Sequence, residues 1–253
     1  MTSTRVIRGA IGVAGLLAVA ELAGRTGLLD PAVVPLTSTV VSDTVGLAVD
    51  SEFLTDVSFT LIVWAVGLGL ASLLAVSAGM LLGSLPRAES AVRPVLEFLR
   101  PIPSVALIPL VTLVVASDAW MKITVVVYAA MWPVLINTMY GLREVDPLAK
   151  ETLRSFGFGR LDVLRRVSLP SAAPFVGTGI RLAASVALIV AISAELLSGG
   201  AGGIGVYIIK AGSADRVDLM LAAAMWAGVL GLIVNSVLVR GQRRLFRWHE
   251  ART

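Results

Sequence analysis

The stretch KETLRSFGFGRLDVLRRVSLPSAAP, residues 150–174, decides how the rest of the chain is read. It lies between two long apolar runs. Glu151 and Asp162 share it with Lys150, Arg154, Arg160, Arg165 and Arg166, and Arg143 just upstream adds a sixth base. Asp146 is placed to cap a helix, and Pro147 suits the first helical position, where an amide N–H would go unused anyway. Leu148, Thr152, Leu153 and Phe156 form a partial apolar stripe, and Gly157 stands where a left-handed cap would stop that helix. A second short helix is predicted over about 160–168. Leu161, Leu164 and Val167 are its apolar face, with Arg160, Asp162, Arg165 and Arg166 left over. Leu169-Pro170 is expected to end it, and Pro174 to open the next apolar run. Physics alone leaves two readings: a surface loop whose bases meet anionic lipid, or a docking element held in shape by its glycine and prolines.

The surroundings fix the solvent. The 253 residues are 57% hydrophobic and 15% charged, against roughly 25% charged in ordinary globular proteins, and the mean hydropathy is +0.88. Most of this chain therefore sits in lipid. A bilayer core of ~30 Å takes about 20 apolar residues as helix. Six spans are predicted, at roughly 6–24, 58–83, 94–117, 120–141, 175–198 and 218–239. Pro101, Pro103 and Pro109 fall in the third and Pro133 in the fourth. Proline frees a carbonyl that needs another donor, so these two spans are expected to line a bundle interior. The fold class is thus all-α, a polytopic helical bundle.

Lysine and arginine set the orientation. With the N-terminus in the cytoplasm, Arg5, Arg8, Arg87, Arg93, Arg100, the bases from Arg143 to Arg166, and Arg240, Arg243, Arg244, Arg247 and Arg252 all lie inside. Only Arg25, Lys122, Lys210 and Arg216 fall outside, among Asp30, Asp43, Asp50, Glu52, Asp56, Asp118, Asp215 and Asp218. Both termini are then cytoplasmic. Arg5, Arg8 and the AVAE at 18–21 also have the outline of a secretory signal; the reading adopted is a retained first span. Residues 1–57 form that span and an outer segment with some local helix, interrupted at Pro31 and Pro35. The second span is capped by Asp56 or Ser58. Residues 58–245 form the core, with the charged insert at 146–170, and 246–253 a cytoplasmic tail.

Several chemistries are excluded. There is no cysteine and a single histidine, His249, so thiolate or histidine metal clusters and a Ser-His triad in the membrane are ruled out by count. No phosphate-binding G-x-x-x-x-G-K-[ST] occurs. GGAGGIG at 199–205 lacks a preceding strand and is read as a flexible outer turn or re-entrant loop. No catalytic, cofactor or metal residues are assigned, and the chain is not expected to be an enzyme. Intramembrane polar groups default to pathway candidates: Tyr128, Trp132, Asn137, Ser193 and Glu195. Alternatives stand beside them, namely aromatic packing for the first two, a bond to a neighbouring helix for Asn137, and interfacial hydration for Glu195. Arg181 is read as snorkelling to the cytoplasmic face. The small residues of GLGLASLLAVSAG, 67–79, permit close helix approach within one subunit or across a dimer.

The insert resembles the cytoplasmic signature of ATP-binding-cassette importer permeases. That signature reads Glu-Ala-Ala, three residues, Gly, nine residues, Ile-x-Leu-Pro. Here Glu151, Gly157 and Val167-x-Leu169-Pro170 match it without a gap, with Thr152-Leu153 in place of the alanines. LRPIPSVALIPL (99–110), WPVLINTMYGLREVDP (132–147) and AELLSGGAGGIG (194–205) are similar to the nitrate/sulfonate/taurine/bicarbonate branch, although Val115-Ala116 stands where that branch often has an aromatic-Gly pair. The resemblance implies a permease subunit in a prokaryotic plasma membrane with the type I importer fold. It implies a second permease copy in a homodimer, two separate cytoplasmic ATPases carrying ATP-Mg, and an extracytoplasmic binding protein. No cofactor is implied on this chain, and no nucleic acid. The insert would be the coupling helix, engaging the ATPase through Glu151, Arg154, Gly157, Leu161, Leu164, Val167, Leu169 and Pro170. Two other functions remain at this stage: a membrane scaffold with a docking loop, and an ion-coupled transporter, whose expected inverted repeats and buried acid pairs are not visible.

Overall fold

The computed structural model describes residues 3–28, 30 and 33–246, and every described element is helical. His249, Arg247, Arg252 and the tail beyond Phe246 lie outside the described residues, as does Pro31. In chain order the helices are α1 (Ser3–Arg25), α2 (Thr37–Leu47), α3 (Ser51–Ser84), α4 (Pro86–Leu99), α5 (Ile108–Val114), α6 (Asp118–Arg143), α7 (Pro147–Ser155), α8 (Arg160–Val163), α9 (Leu169–Ser198), α10 (Ile204–Ser213) and α11 (Val217–Leu245). Five are long and apolar enough to cross a membrane, and a bent pair raises the number to six.

Helix α6 is the centre, packed along its length against α3 and α9. Close approach needs small residues, and α3 supplies them every four residues: Gly67, Ala71, Ala75 and Gly79 are all buried. A methyl group at Gly79 would lie 2.7 Å from Thr138 Cβ, and Gly67 faces Val126 just as tightly. The small-residue stripe is therefore spent inside one subunit. On the other side Gly179 admits α9 over Asn137 and Pro133, and Ala183, Ala184, Ala187, Ala191 and Ala194 continue the seam. With lipid outside there is little hydrophobic gain from association, so such dispersion-packed seams hold the bundle.

Three local expectations change. Helix α3 starts seven residues earlier than read, because the Asp50 carboxylate accepts the Phe53 amide at 2.7 Å and caps it; Asp56 and Ser58 lie within the helix. At about 51 Å by its rise per residue, α3 outreaches the bilayer. The expected third span is broken rather than kinked: α4 and the Ser104–Val114 segment meet at 79°. Pro101 and Pro103 remove two donors within three residues, more than a kinked helix absorbs. Helix α4 has no fully buried residue, packs Leu96 and Leu99 half-buried against the core, and is tied to α6 by Glu89, which pairs with Arg143 and with Arg93. Of the two proline-bearing spans α6 is interior along its length, whereas the broken one reaches the core through Ile108 and the half-buried Leu96 and Leu99. Finally, the second helix of the insert does not end at Leu169-Pro170. It runs on through a π turn at Leu164–Ser168 into α9, giving one helical rod from Arg160 to Ser198. The wider π turn spares the Pro170 ring its clash with the carbonyl four residues back.

The outer segment contains helix α2, which packs on α11. Trp226 Nε1 donates to the Thr44 carbonyl at 2.8 Å, and Phe53, Tyr207 and Trp226 make an aromatic cluster beneath. Helix α1 touches only α2 to any extent, held by Glu21, which accepts from Ser38 and pairs with Arg25.

Candidate functional site

The insert is built as a corner. Asp146 accepts the Leu148 amide at 2.8 Å and starts α7. Gly157, at φ +84°, ends it: the Phe158 amide donates to Leu153 O and the Gly157 amide to Arg154 O, at 3.2 and 2.9 Å. That paired closure needs a left-handed residue, which glycine adopts without strain. The Arg166 guanidinium stacks 5.0 Å over the Phe158 ring and braces the turn. Lys150 Nζ reaches the Leu142 carbonyl at 3.3 Å, where a cation suits the carbonyl end of α6. The corner is thereby fixed to α6 on one side and continuous with α9 on the other.

What the corner presents outward is unsatisfied. Glu151 is exposed and makes no hydrogen bond or ion pair among the described residues, so the alternative of a pair with Lys150 or Arg154 is not formed. Leu148, Phe156 and Leu161 are 68%, 77% and 58% exposed, an apolar cluster beside a bare carboxylate at the end of a membrane bundle. Arg154 and Pro170 are exposed, whereas Leu164, Val167 and Leu169 are half-buried at the root.

The opposite end of the bundle carries a second charged cluster with the reverse character. The glycine loop after α9 is not a flexible turn. Gly202 and Gly203 are buried, and the loop amides point into carboxylates of three helices. The Gly203 amide donates to Asp56 Oδ1 at 2.8 Å, the Ala201 amide to Asp118 Oδ2 at 3.1 Å, and the Gly205 amide to Glu195 Oε2 at 2.9 Å. Thr60 Oγ1 donates to Glu195 at 2.9 Å and accepts the Ile204 amide at 2.9 Å. Lys122, fully buried, pairs with Asp118 at 2.9 Å and lies 5.0 Å from the Phe59 ring centre. Gly203 sits at φ +125° with the Glu195 carboxyl where a Cβ would be. A glycine loop opening a helix normally makes an anion site; here the chain's own acids fill it. Helix α10, at about 15 Å, is too short to cross, so loop and helix form the re-entrant alternative.

The pathway candidates separate accordingly. Glu195 is fully buried and committed to this network, which replaces the hydration reading. Tyr128 donates to Leu99 O at 2.7 Å, the carbonyl whose α-helical donor would be residue 103, a proline. Trp132 stacks edge-on against Tyr128 at 5.8 Å. This aromatic pair props the break between α4 and α5. Asn137 Nδ2 donates to Pro133 O at 2.8 Å within its own helix, not to a neighbour. Ser193 is half-buried, with its hydroxyl returned to Ile189 O. The sequence does not single out Thr60 or Lys122, and it offers Asp56 only as a helix cap. For Lys122 the available signal was Asp118 four residues before it in an otherwise apolar run.

Together these features make an all-helical membrane bundle with a charged corner at one end. Residues 67–247 match the family model described as binding-protein-dependent transport system inner membrane component, and the chain belongs to that family. It is 30% identical over 73% of its length to a putative ABC transporter permease protein of Methanocaldococcus jannaschii, covering 69% of that protein. It is 29% identical to a putative aliphatic sulfonates transport permease protein of Bacillus subtilis, over 97% of this chain and 88% of that one. A taurine transport system permease protein of Escherichia coli is 28% identical over 71% of this chain and 65% of its own length. Among solved structures, the inward-facing MetNI methionine ABC transporter shares the fold, with a TM-score of 0.66 and 18% identity over 76% of this chain and 94% of that chain. The protein is thus an ABC importer permease subunit, a multi-pass component of the plasma membrane.

Proposed function

We propose that this permease carries a small sulfonate-, taurine- or nitrate-like solute and is driven through the 146–170 insert by a separate ATPase. Two copies pair to enclose the pathway. ATP-Mg is bound by the partner ATPases, a binding protein delivers solute at the glycine-loop end, and both termini face the cytoplasm with the insert. The observation that carries the reading is the bare Glu151 carboxylate flanked by outward Leu148, Phe156 and Leu161 on a corner continuous with α9. A carboxylate held ready for a cation makes a stronger bond than a neutral pair, and exposed leucine and phenylalanine beside it supply the apolar part of a groove contact. Closure of the ATPase on nucleotide then moves α7 and α8. The Arg160–Ser198 rod transmits that motion into the bundle, and alternating access follows. Gly157 keeps the corner shape; Arg154, Leu164, Val167, Leu169 and Pro170 complete the docking element and its root.

Reconstitution in proteoliposomes with the partner ATPase and binding protein tests the proposal. Uptake is expected to require ATP, and both uptake and ATPase co-purification are expected to be lost in Glu151→Lys and Gly157→Pro. Normal uptake with retained ATPase in both variants would remove the insert from the coupling path. Calorimetry on the partner binding protein with taurine, alkanesulfonates, nitrate and bicarbonate identifies the solute.

A further inference from the structure

Near the insert end of the bundle, helices α3, α6, α9 and α11 leave a divided crevice. One chamber, about 590 Å³, is lined almost wholly by apolar carbon, including Val76, Met80, Val176, Ile180 and Leu238. The other, about 370 Å³, has a mixed lining in which Thr178, Gln242 and Arg243 stand among Pro174, Phe175 and Val239. Arg181, Gln242 and Phe246 line both and form the partition. Among the described residues neither chamber has an acidic lining residue, and neither Arg181 nor Arg243 has an ion-pair partner. Gln242 Nε2 donates to Thr178 Oγ1 at 3.0 Å, but its Oε1 is buried without a donor. Arg181 lies about 18 Å along α9 from Leu169, and its side chain leans back toward the insert end, as helical side chains do.

We propose that this crevice binds one anionic phospholipid. An acyl chain enters the apolar chamber, and the phosphate lies between Arg181 and Arg243. The two chambers match the two halves of such a molecule. An isolated arginine at this depth is costly unless it meets an anion or snorkels, and a phosphate drawn to the mouth satisfies it in place. Leu169, Ala172 and Ala173 at the root of α9 also line the apolar chamber, so the lipid braces α11 against the segment that the insert moves. The site depends only on the membrane bundle and stands apart from the ATPase reading.

Native mass spectrometry of the full-length chain, delipidated in neutral detergent and titrated with phosphatidylglycerol or phosphatidylcholine of matched acyl chains, is the test. The first phosphatidylglycerol adduct is expected at about tenfold lower lipid than the first phosphatidylcholine adduct, as a charge-assisted contact allows. Arg181→Gln, which breaks no contact within the fold, is expected to erase that preference at an unchanged melting midpoint. Ala173→Trp, which fills the apolar chamber, is expected to weaken both lipids. Equal first adducts in the wild type, a preference that survives Arg181→Gln, or displacement by glycerol 3-phosphate as effective as by the lipid would each overturn the proposal.

Discussion

The two ends of this bundle use the same ingredients to opposite effect. Each combines a left-handed glycine, a short helix and several charges. At the insert end Gly157 turns a corner in open space, and no atom lies within 4 Å of where its Cβ would be. Glu151 there has no partner. At the other end Gly203 is pressed against Glu195, and every loop amide from Gly203 to Gly205 meets a side-chain oxygen. The first region leaves its interactions for another molecule; the second has consumed them. Charge alone does not mark an interface, and the useful question is whether the chain has already satisfied it.

That contrast can be broken by substitution. Gly203→Ala combines a backbone region reserved for glycine with overpacking against a buried carboxyl, a loss of about 4 kcal/mol; a collapse of the thermal melting midpoint in detergent is the expected readout. Lys122→Met strands Asp118 beside the loop and leaves three acids around it without their base. Breaking a buried pair in this way costs about 3 kcal/mol, and the melting midpoint should fall nearly as far. An unchanged midpoint would show that the glycine-loop end is not an internal lock.

Smaller effects sharpen the comparison. Tyr128→Phe removes one of the two donors, beside the Ile102 amide, that serve Leu99 O at the helix break, for about 1 kcal/mol, visible as faster hydrogen exchange across 99–104. Gly157→Ala carries only left-handed strain, about 1 kcal/mol, much less than its counterpart at Gly203. Glu151→Gln should leave the melting midpoint where it is, since no contact within the chain is lost. Its effect should instead be confined to ATP-driven uptake in proteoliposomes; a shift in melting with uptake intact would invert the assignment of the two ends.

Much was legible in the sequence because lipid and backbone chemistry are local constraints. An apolar run near 20 residues has to be a helix, and the insert's cap follows from Asp146, Pro147 and Gly157 in order. The spacing of Glu151, Gly157 and Leu169-Pro170 carried the family. What stayed hidden depended on residues far apart in the chain. GGAGGIG reads as a loose turn until Asp56, Thr60, Asp118 and Glu195 converge on it from three helices. Tyr128 and Trp132 read as pathway or packing aromatics alike, and only the break in α4 shows the Leu99 carbonyl against Tyr128.

By itself, then, the sequence determined the solvent, the helical class, the charged corner and its signature, since each follows from neighbours along the chain. Tertiary structure alone decided three further matters: that the glycine and alanine stripe of α3 is used within one subunit, that the rod from Arg160 passes unbroken through two prolines, and that the acids opposite the insert are already occupied. The reason is physical. Helix formation is settled over a few turns, whereas the partner of a buried glycine face or a buried carboxylate is chosen by three-dimensional packing among segments far apart in the chain.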